Sequence, residues 1–149
     1  MNWRIILRFL WKLSINSRGN MRWVVFLLGE ESYAIEVEHI KEITMPQKIT
    51  KVPKGEKNLR GIMNLRGTVI SVYDLSEKLG LEKENRGGNI VVVEHGDRIA
   101  GFLVDEVEGV EELEELERSP IEDPVGVVRG VIRKDDGLII ALDAGKLIE

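Results

Sequence analysis

The residues of this 149-residue chain that could carry chemistry are few: two histidines, His39 and His95, a surplus of carboxylates and no cysteine. Without a thiol there are no disulfides, thiolate zinc sites or cysteine nucleophiles, which is compatible with a reducing cytoplasm. His39 falls in a helical-looking acidic stretch and His95 in a turn, and neither has a second ligand at metal spacing, so both read as surface residues. The acidic pairs Glu30-Glu31 and Asp135-Asp136 fall at turns, where solvation and turn geometry account for them. Glycines punctuate hairpins, and neither G-x-x-x-x-G-K-[ST] nor a strand-linked G-x-G-x-x-G occurs to cradle a phosphate. The expectation is therefore no catalytic residue, no metal and no cofactor, with protein binding as the chemistry. An enzyme or a small-ligand barrel is the weaker alternative, and a pocket lined by paired carboxylates, or by His39 with an acid, would raise it.

Charge narrows the partners. The net charge is −5, but residues 1 to 20 carry Arg4, Arg8, Lys12 and Arg18 and no acid, so that segment is +4 and the remainder −9. An acidic body of that size repels nucleic-acid phosphates. No apolar run reaches the length of a spanning helix. In the basic segment Arg4, Arg8 and Lys12 recur every four residues among Trp3, Ile5, Ile6, Leu7, Phe9, Leu10, Trp11 and Leu13. Two readings are open: a start assigned too far upstream of Met21, which we favour, or a cationic helix lying on a membrane surface, giving peripheral association.

The elements that must position any site are mostly short strands. Trp23 to Leu28 and Tyr33 to Val37 read as a hairpin about Gly29 to Ser32, and the wider spacing Val37, Ile40, Ile43 predicts a short helix. Ile49 to Val52 reads as a short strand. Ile62 to Leu65 and Thr68 to Tyr73 form a hairpin about Arg66-Gly67, and Asp74 caps a helix that Gly80 stops. Leu81 to Asn89 is the candidate linker. Ile90 to Val93 and Ile99 to Val104 form the next hairpin. Glu106 to Glu117 reads by default as an acidic helix with Val107, Val110, Leu113 and Leu116 inward, a strand from Val104 through Val110 being the alternative. Val127 to Arg133 and Leu138 to Leu142 pair about Asp135 to Gly137, and Asp143 caps a last helix.

The two halves echo each other. Val24 to Gly29 and Tyr33 to Ile40 match Val91 to Gly96 and Ala100 to Val107 at an offset of 67. Arg60-Gly61-Ile62 and Asp74 match Arg129-Gly130-Val131 and Asp143 at 69. Many short strands in two like units predict two small barrels packed together, the first mainly 22–80 and the second mainly 90–149, with strands open to exchange.

The stretch from Asn64 to Leu75 reads N-L-R-G-T-V-I-S-V-Y-D-L, preceded by Glu42-Ile43, by I-T-K-V-P from Ile49 to Pro53, and by Arg60-Gly61-Ile62. In that order and spacing the motifs resemble the CheW family of chemotaxis adaptors, over roughly residues 22 to 148. The resemblance implies a mainly β fold of two five-stranded Src-homology-3-like barrels with a few short helices and a groove between them. It implies a non-enzymatic adaptor that couples the hairpin tips of methyl-accepting chemoreceptors to the regulatory domain of the histidine kinase CheA, in the cytoplasm at receptor arrays beneath the membrane. An adaptor of another receptor–kinase pathway, such as surface motility, would share the resemblance.

Carried over residue by residue, the receptor-facing candidates are Ile40, Glu42, Gly61, Asn64 and Arg66. Arg66 leads them, because a guanidinium holds several acceptors in fixed geometry; its other reading is a structural clamp on loop carbonyls. The kinase-facing candidates are the turn residues Gly29, Glu30, Glu31 and Ser32. Glu56 and Ser71 stand where many relatives carry proline, so the loop from Pro53 to Arg60 is expected to be looser. The chain stops at Glu149, short of any longer C-terminal helix.

Overall fold

The computed structural model describes residues 21–53, 55–113, 116–117, 123, 125–135 and 137–149. The basic segment 1–20, with both readings attached to it, lies outside the described residues.

The strands are β1 (Met21–Leu28), β2 (Glu31–Glu36), β3 (Ile40–Thr44), β4 (Leu59–Leu65), β5 (Thr68–Asp74), β6 (Asn89–His95), β7 (Arg98–Val104), β8 (Glu106–Leu113), β9 (Leu116–Glu117), β10 (Val128–Lys134) and β11 (Gly137–Leu142). Two one-turn helices follow β5 and β11: α1 (Leu75–Lys78) and α2 (Ala144–Leu147). The strands form a six-stranded sheet in the order β8-β1-β2-β11-β10-β9 and a five-stranded sheet in the order β3-β6-β7-β5-β4. Each sheet combines a hairpin from one half of the sequence with strands from the other. The hairpin strands β2 and β7 run parallel to β11 and β5, and the other strand pairs are antiparallel.

The echo in the sequence becomes an echo in register. Val24 pairs with Val110, and their counterparts Val91 and Ile43 pair with each other. Leu59 pairs with Tyr73, and their counterparts Val128 and Leu142 do the same. Asp74 and Asp143 cap their helices alike, each accepting from the backbone N–H three residues on at 3.0 Å.

The unbroken apolar runs have one cause: both faces of β1 and β6 are buried. Val24, Phe26 and Leu28 join Val91, Val93, Phe102 and Val104 in a central core shared by the sheets. Trp23 and Val25 point the other way, into a core with Ile132, Ile139 and Ala141. Ile90 and Val92 do likewise with Met63, Leu65, Ile70 and Val72. A fully buried side chain such as Phe26 or Phe102 stabilises by about 2–3 kcal/mol relative to exposure.

Three local expectations are corrected. The helix expected from Val37 to Ile43 is a single 3₁₀ turn over Val37–His39 followed by β3. The acidic helix from Glu106 is β8, the strand alternative. Both errors share a physical reason. β3 and β8 carry bulges at equivalent places, where Lys41 and Glu108 have no pairing partner of their own. An extra residue shifts the alternation by one, so Ile40 and Ile43, like Val107 and Val110, face one side at a spacing that imitates a helix. The third correction is the strand Ile49 to Val52, which is one isolated bridge, Thr50 to Ile62, with N···O distances of 2.8 and 2.9 Å.

Candidate functional site

β3 and β4 are opposite edges of the five-stranded sheet, yet a side chain at the end of β4 crosses to β3. Arg66 begins the tight turn between β4 and β5 with φ +50, and Gly67 follows at +91, the pair of left-handed residues that a two-residue hairpin turn needs. Asn64 Oδ1 accepts from the Gly67 N–H at 2.8 Å and holds the turn. Thus positioned, Arg66 donates to the Glu42 carboxylate from Nε at 3.1 Å and from Nη2 at 3.4 Å.

Glu42 is 5 % exposed, while the Arg66 side chain is half exposed. The hydrogen bond to Glu42, and then its charge, hold the Arg66 pKa above its ordinary value. A guanidinium has five N–H donors, so the pair leaves a fixed cationic edge facing solvent. On the outer face beside it, Asn64 pairs with Val69, which is 62 % exposed. The result is a small apolar and cationic patch with a buried carboxylate beneath it.

The structure treats the other receptor-facing candidates differently. Ile40 is buried and belongs to the central core. Gly61 sits in the bulge between β4 and β5 at φ +148, and a Cβ there would lie 2.1 Å from the Thr50 carbonyl oxygen. Its place is under the Thr50 bridge rather than on a surface. Of the five, Glu42, Asn64 and Arg66 are brought together.

The turn from Gly29 to Ser32 joins β1 to β2. Gly29 N donates to Asp105 Oδ2, Ser32 Oγ to Glu108 Oε1 at 3.1 Å, and Tyr33 Oη to Glu31 Oε2 at 3.4 Å. Burial, followed by the Glu31 charge, pushes the Tyr33 phenol up to about 12. Lys83, between α1 and β6, lies against Gly29, whose missing Cβ would be 2.6 Å from Lys83 Cδ. Glu30 and Glu31 remain exposed.

One constellation meets the condition set for the small-ligand or enzyme alternative, a pocket lined by His39 with acids, although its full membership was not visible in the sequence. The 3₁₀ turn after β2 brings the ligand atoms of Glu36, Glu38 and His39 within 4.8 Å of one another. The turn between β6 and β7 then places His95 beside His39, with ring centroids 5.2 Å apart. These four residues, with Arg129 and Asp143, line a cavity of about 360 Å³. Spacing along the chain spoke against a metal site, and the second histidine arrives from the other half. Among the described residues no helix is long and apolar enough to cross a membrane.

The CheW-like domain family matches residues 22–149. The chain is 36% identical over 128 residues to the chemotaxis protein CheW of Thermotoga maritima, covering 83% of this chain and 85% of that protein. It is 30% identical over 135 residues to the chemotaxis protein CheW of Helicobacter pylori, covering 87% and 82%. The crystal structure of the scaffolding protein TtCheW from Thermoanaerobacter tengcongensis superposes with a TM-score of 0.78 at 33% identity, covering 86% of this chain and 92% of that one.

Proposed function

The chain belongs to the CheW-like domain family, and from that premise we propose that it is a chemotaxis adaptor that couples chemoreceptors to the histidine kinase CheA in the cytoplasm, at receptor arrays. It makes and breaks no bonds. Its work is to be held on two sides, by the hairpin tip of a receptor coiled coil and by the regulatory domain of the kinase. Receptor state reaches the kinase because the tip binds one arrangement of the coupled domains better than another, which shifts their populations.

The observation that carries the reading is the Arg66–Glu42 pair, a cation fixed on an exposed turn by a buried carboxylate. Preorganised arginine beside exposed apolar surface is the composition of an interface anchor. We assign Glu42, Asn64 and Arg66 to the receptor side, with Ile40 and Gly61 as buried positions of the same two strands, β3 and β4. Gly29, Glu30, Glu31 and Ser32 are placed on the kinase side.

Co-sedimentation of the full chain with a receptor cytoplasmic fragment and CheA, scored also by kinase activity, tests both contacts. Arg66→Ala is expected to fold, to weaken receptor co-sedimentation by about tenfold or more, and to keep CheA binding. Glu31→Lys is expected to do the reverse. Receptor binding unchanged by Arg66→Ala overturns the assignment of that surface.

A further inference from the structure

The histidine and carboxylate cluster between the two sheets is unused by any role described so far. His39 and His95 are the only histidines of the chain, they come from different halves, and the fold sets their rings 5.2 Å apart and tilted by 47°. Two imidazoles bound at about 2 Å to one tetrahedral ion have ring centroids roughly 5 Å apart. Three donors lie together in the structure, and His95 stands next to them, outside that group. Glu36, Glu38 and His39 each offer a ligand atom within 4.8 Å of the others, and the Glu38 carboxylate lies 3.4 Å from His39 Nε2.

The supports of a metal site are present as well. Glu36 is 4 % exposed and is held by Arg129, whose guanidinium lies 5.6 Å over the Trp23 ring, so this carboxylate is fixed from behind as ligating carboxylates are. His95 is seated against α2, where a Cβ on Gly145 would come within 3.0 Å of its Nε2. Among the described residues that line the cavity are the carboxylates of Glu36, Glu38 and Asp143 and the guanidinium of Arg129.

We propose that Glu36, Glu38 and His39 form a binding site for a divalent transition metal ion of the zinc or nickel class, with His95, whose ring lies beside that of His39, turning to join them as a fourth ligand when the ion binds. Mixed imidazole and carboxylate donors select such an ion over calcium or magnesium, which take oxygen alone. Glu36 ends β2 in the six-stranded sheet, whereas His39 and His95 adjoin β3 and β6 in the five-stranded sheet. An ion held by all of them ties the two sheets together. The proposal is independent of the adaptor reading, which survives its failure.

The test is calorimetric titration of the tag-free, chelator-treated full chain with zinc chloride, with calcium chloride in a parallel run. One equivalent of zinc is expected to bind saturably and to raise the melting temperature. His39→Gln and His95→Gln are each expected to weaken zinc at least tenfold and abolish that rise, while melting as the wild type does without metal. Glu38→Gln, an exposed position, supplies a third variant that leaves the packing alone and is expected to weaken zinc as well. Absence of saturable zinc binding, equal affinity for calcium, or zinc binding undiminished in both histidine variants overturns the proposal.

Discussion

The duplicated fold supplies its own control for the strongest stability prediction, which compares Asp74→Ala with Asp143→Ala. The two aspartates occupy the same place in the two halves and cap helices of the same length with the same 3.0 Å bond. Loss of such a cap costs about 1 kcal/mol at either site. Asp74 does more. Its Oδ1 also accepts from Asn85 Nδ2 at 3.0 Å, in a buried bond, and its Oδ2 accepts from Arg60 Nη2 at 3.1 Å. A buried hydrogen bond to a charged group contributes about 1.5–3 kcal/mol. The Arg60 bond adds less than about 1 kcal/mol, because that side chain is half exposed. Asp74→Ala is therefore expected to cost roughly 3–5 kcal/mol and Asp143→Ala about 1 kcal/mol. Urea unfolding followed by circular dichroism reads the difference as a gap between midpoints on the order of 1–2 M. In an Asn85→Ala background the cost of Asp74→Ala should shrink by about 1 kcal/mol or more, since the two share a bond. Equal midpoints for the two aspartate variants, or a lower one for Asp143→Ala, would refute the reasoning.

Two further outcomes follow from the turns and the buried phenol. Gly61→Ala must move the Thr50 carbonyl and accept φ +148, whereas Gly67→Ala meets nothing within 4 Å. The first is expected to cost about 2 kcal/mol or more and to expose the Thr50 and Ile62 amides to hydrogen exchange, the second about 1 kcal/mol; equal costs would show that the bridge is not held as described. In a Tyr73→Phe variant, which leaves Tyr33 as the one tyrosine, absorbance near 295 nm should titrate with a midpoint of about 12. The fold favours the neutral phenol, so the stability it carries is complete below pH 10 and lost as pH rises through about 12. A midpoint near 10 contradicts the burial assigned to Tyr33.

Local rules recovered most of this architecture. Residues whose neighbours in sequence are also their neighbours in space, such as the Arg66-Gly67 turn and the aspartate caps, declare themselves by spacing. The bulges do not, because a bulge is defined by the partner strand. Lys41 and Glu108 look ordinary until β6 and β1 are laid beside them, and each then changes the apparent period of its strand. The same limit hid the cavity at His39 and His95, which exists only because a turn of the first half meets a turn of the second. It also decided the standing of Gly61. A glycine inside a motif reads equally as surface or support, and the Thr50 carbonyl oxygen, 2.1 Å from where a Cβ would lie, gives Gly61 a supporting part whatever else it does.

Duplication also indicates which residues folding does not require. The position of Glu42, just past the bulge of β3, is matched in β8 by Gly109, and the position of Arg66 is matched by Asp135, which keeps the left-handed backbone at φ +52. The second half builds the same bulge and the same turn without a carboxylate at the first position or a guanidinium at the second. It carries instead an ion pair between Lys134 at the end of β10 and Glu111 on β8, whose carboxylate is more exposed than that of Glu42. A buried carboxylate costs desolvation that a fold can avoid, and here the companion half avoids it. Residues that depart from what the fold needs mark the places where a protein is shaped for something besides its own stability. By that reasoning the asymmetry between the halves, more than the burial of either residue, favours the proposal that the Arg66–Glu42 pair serves a partner.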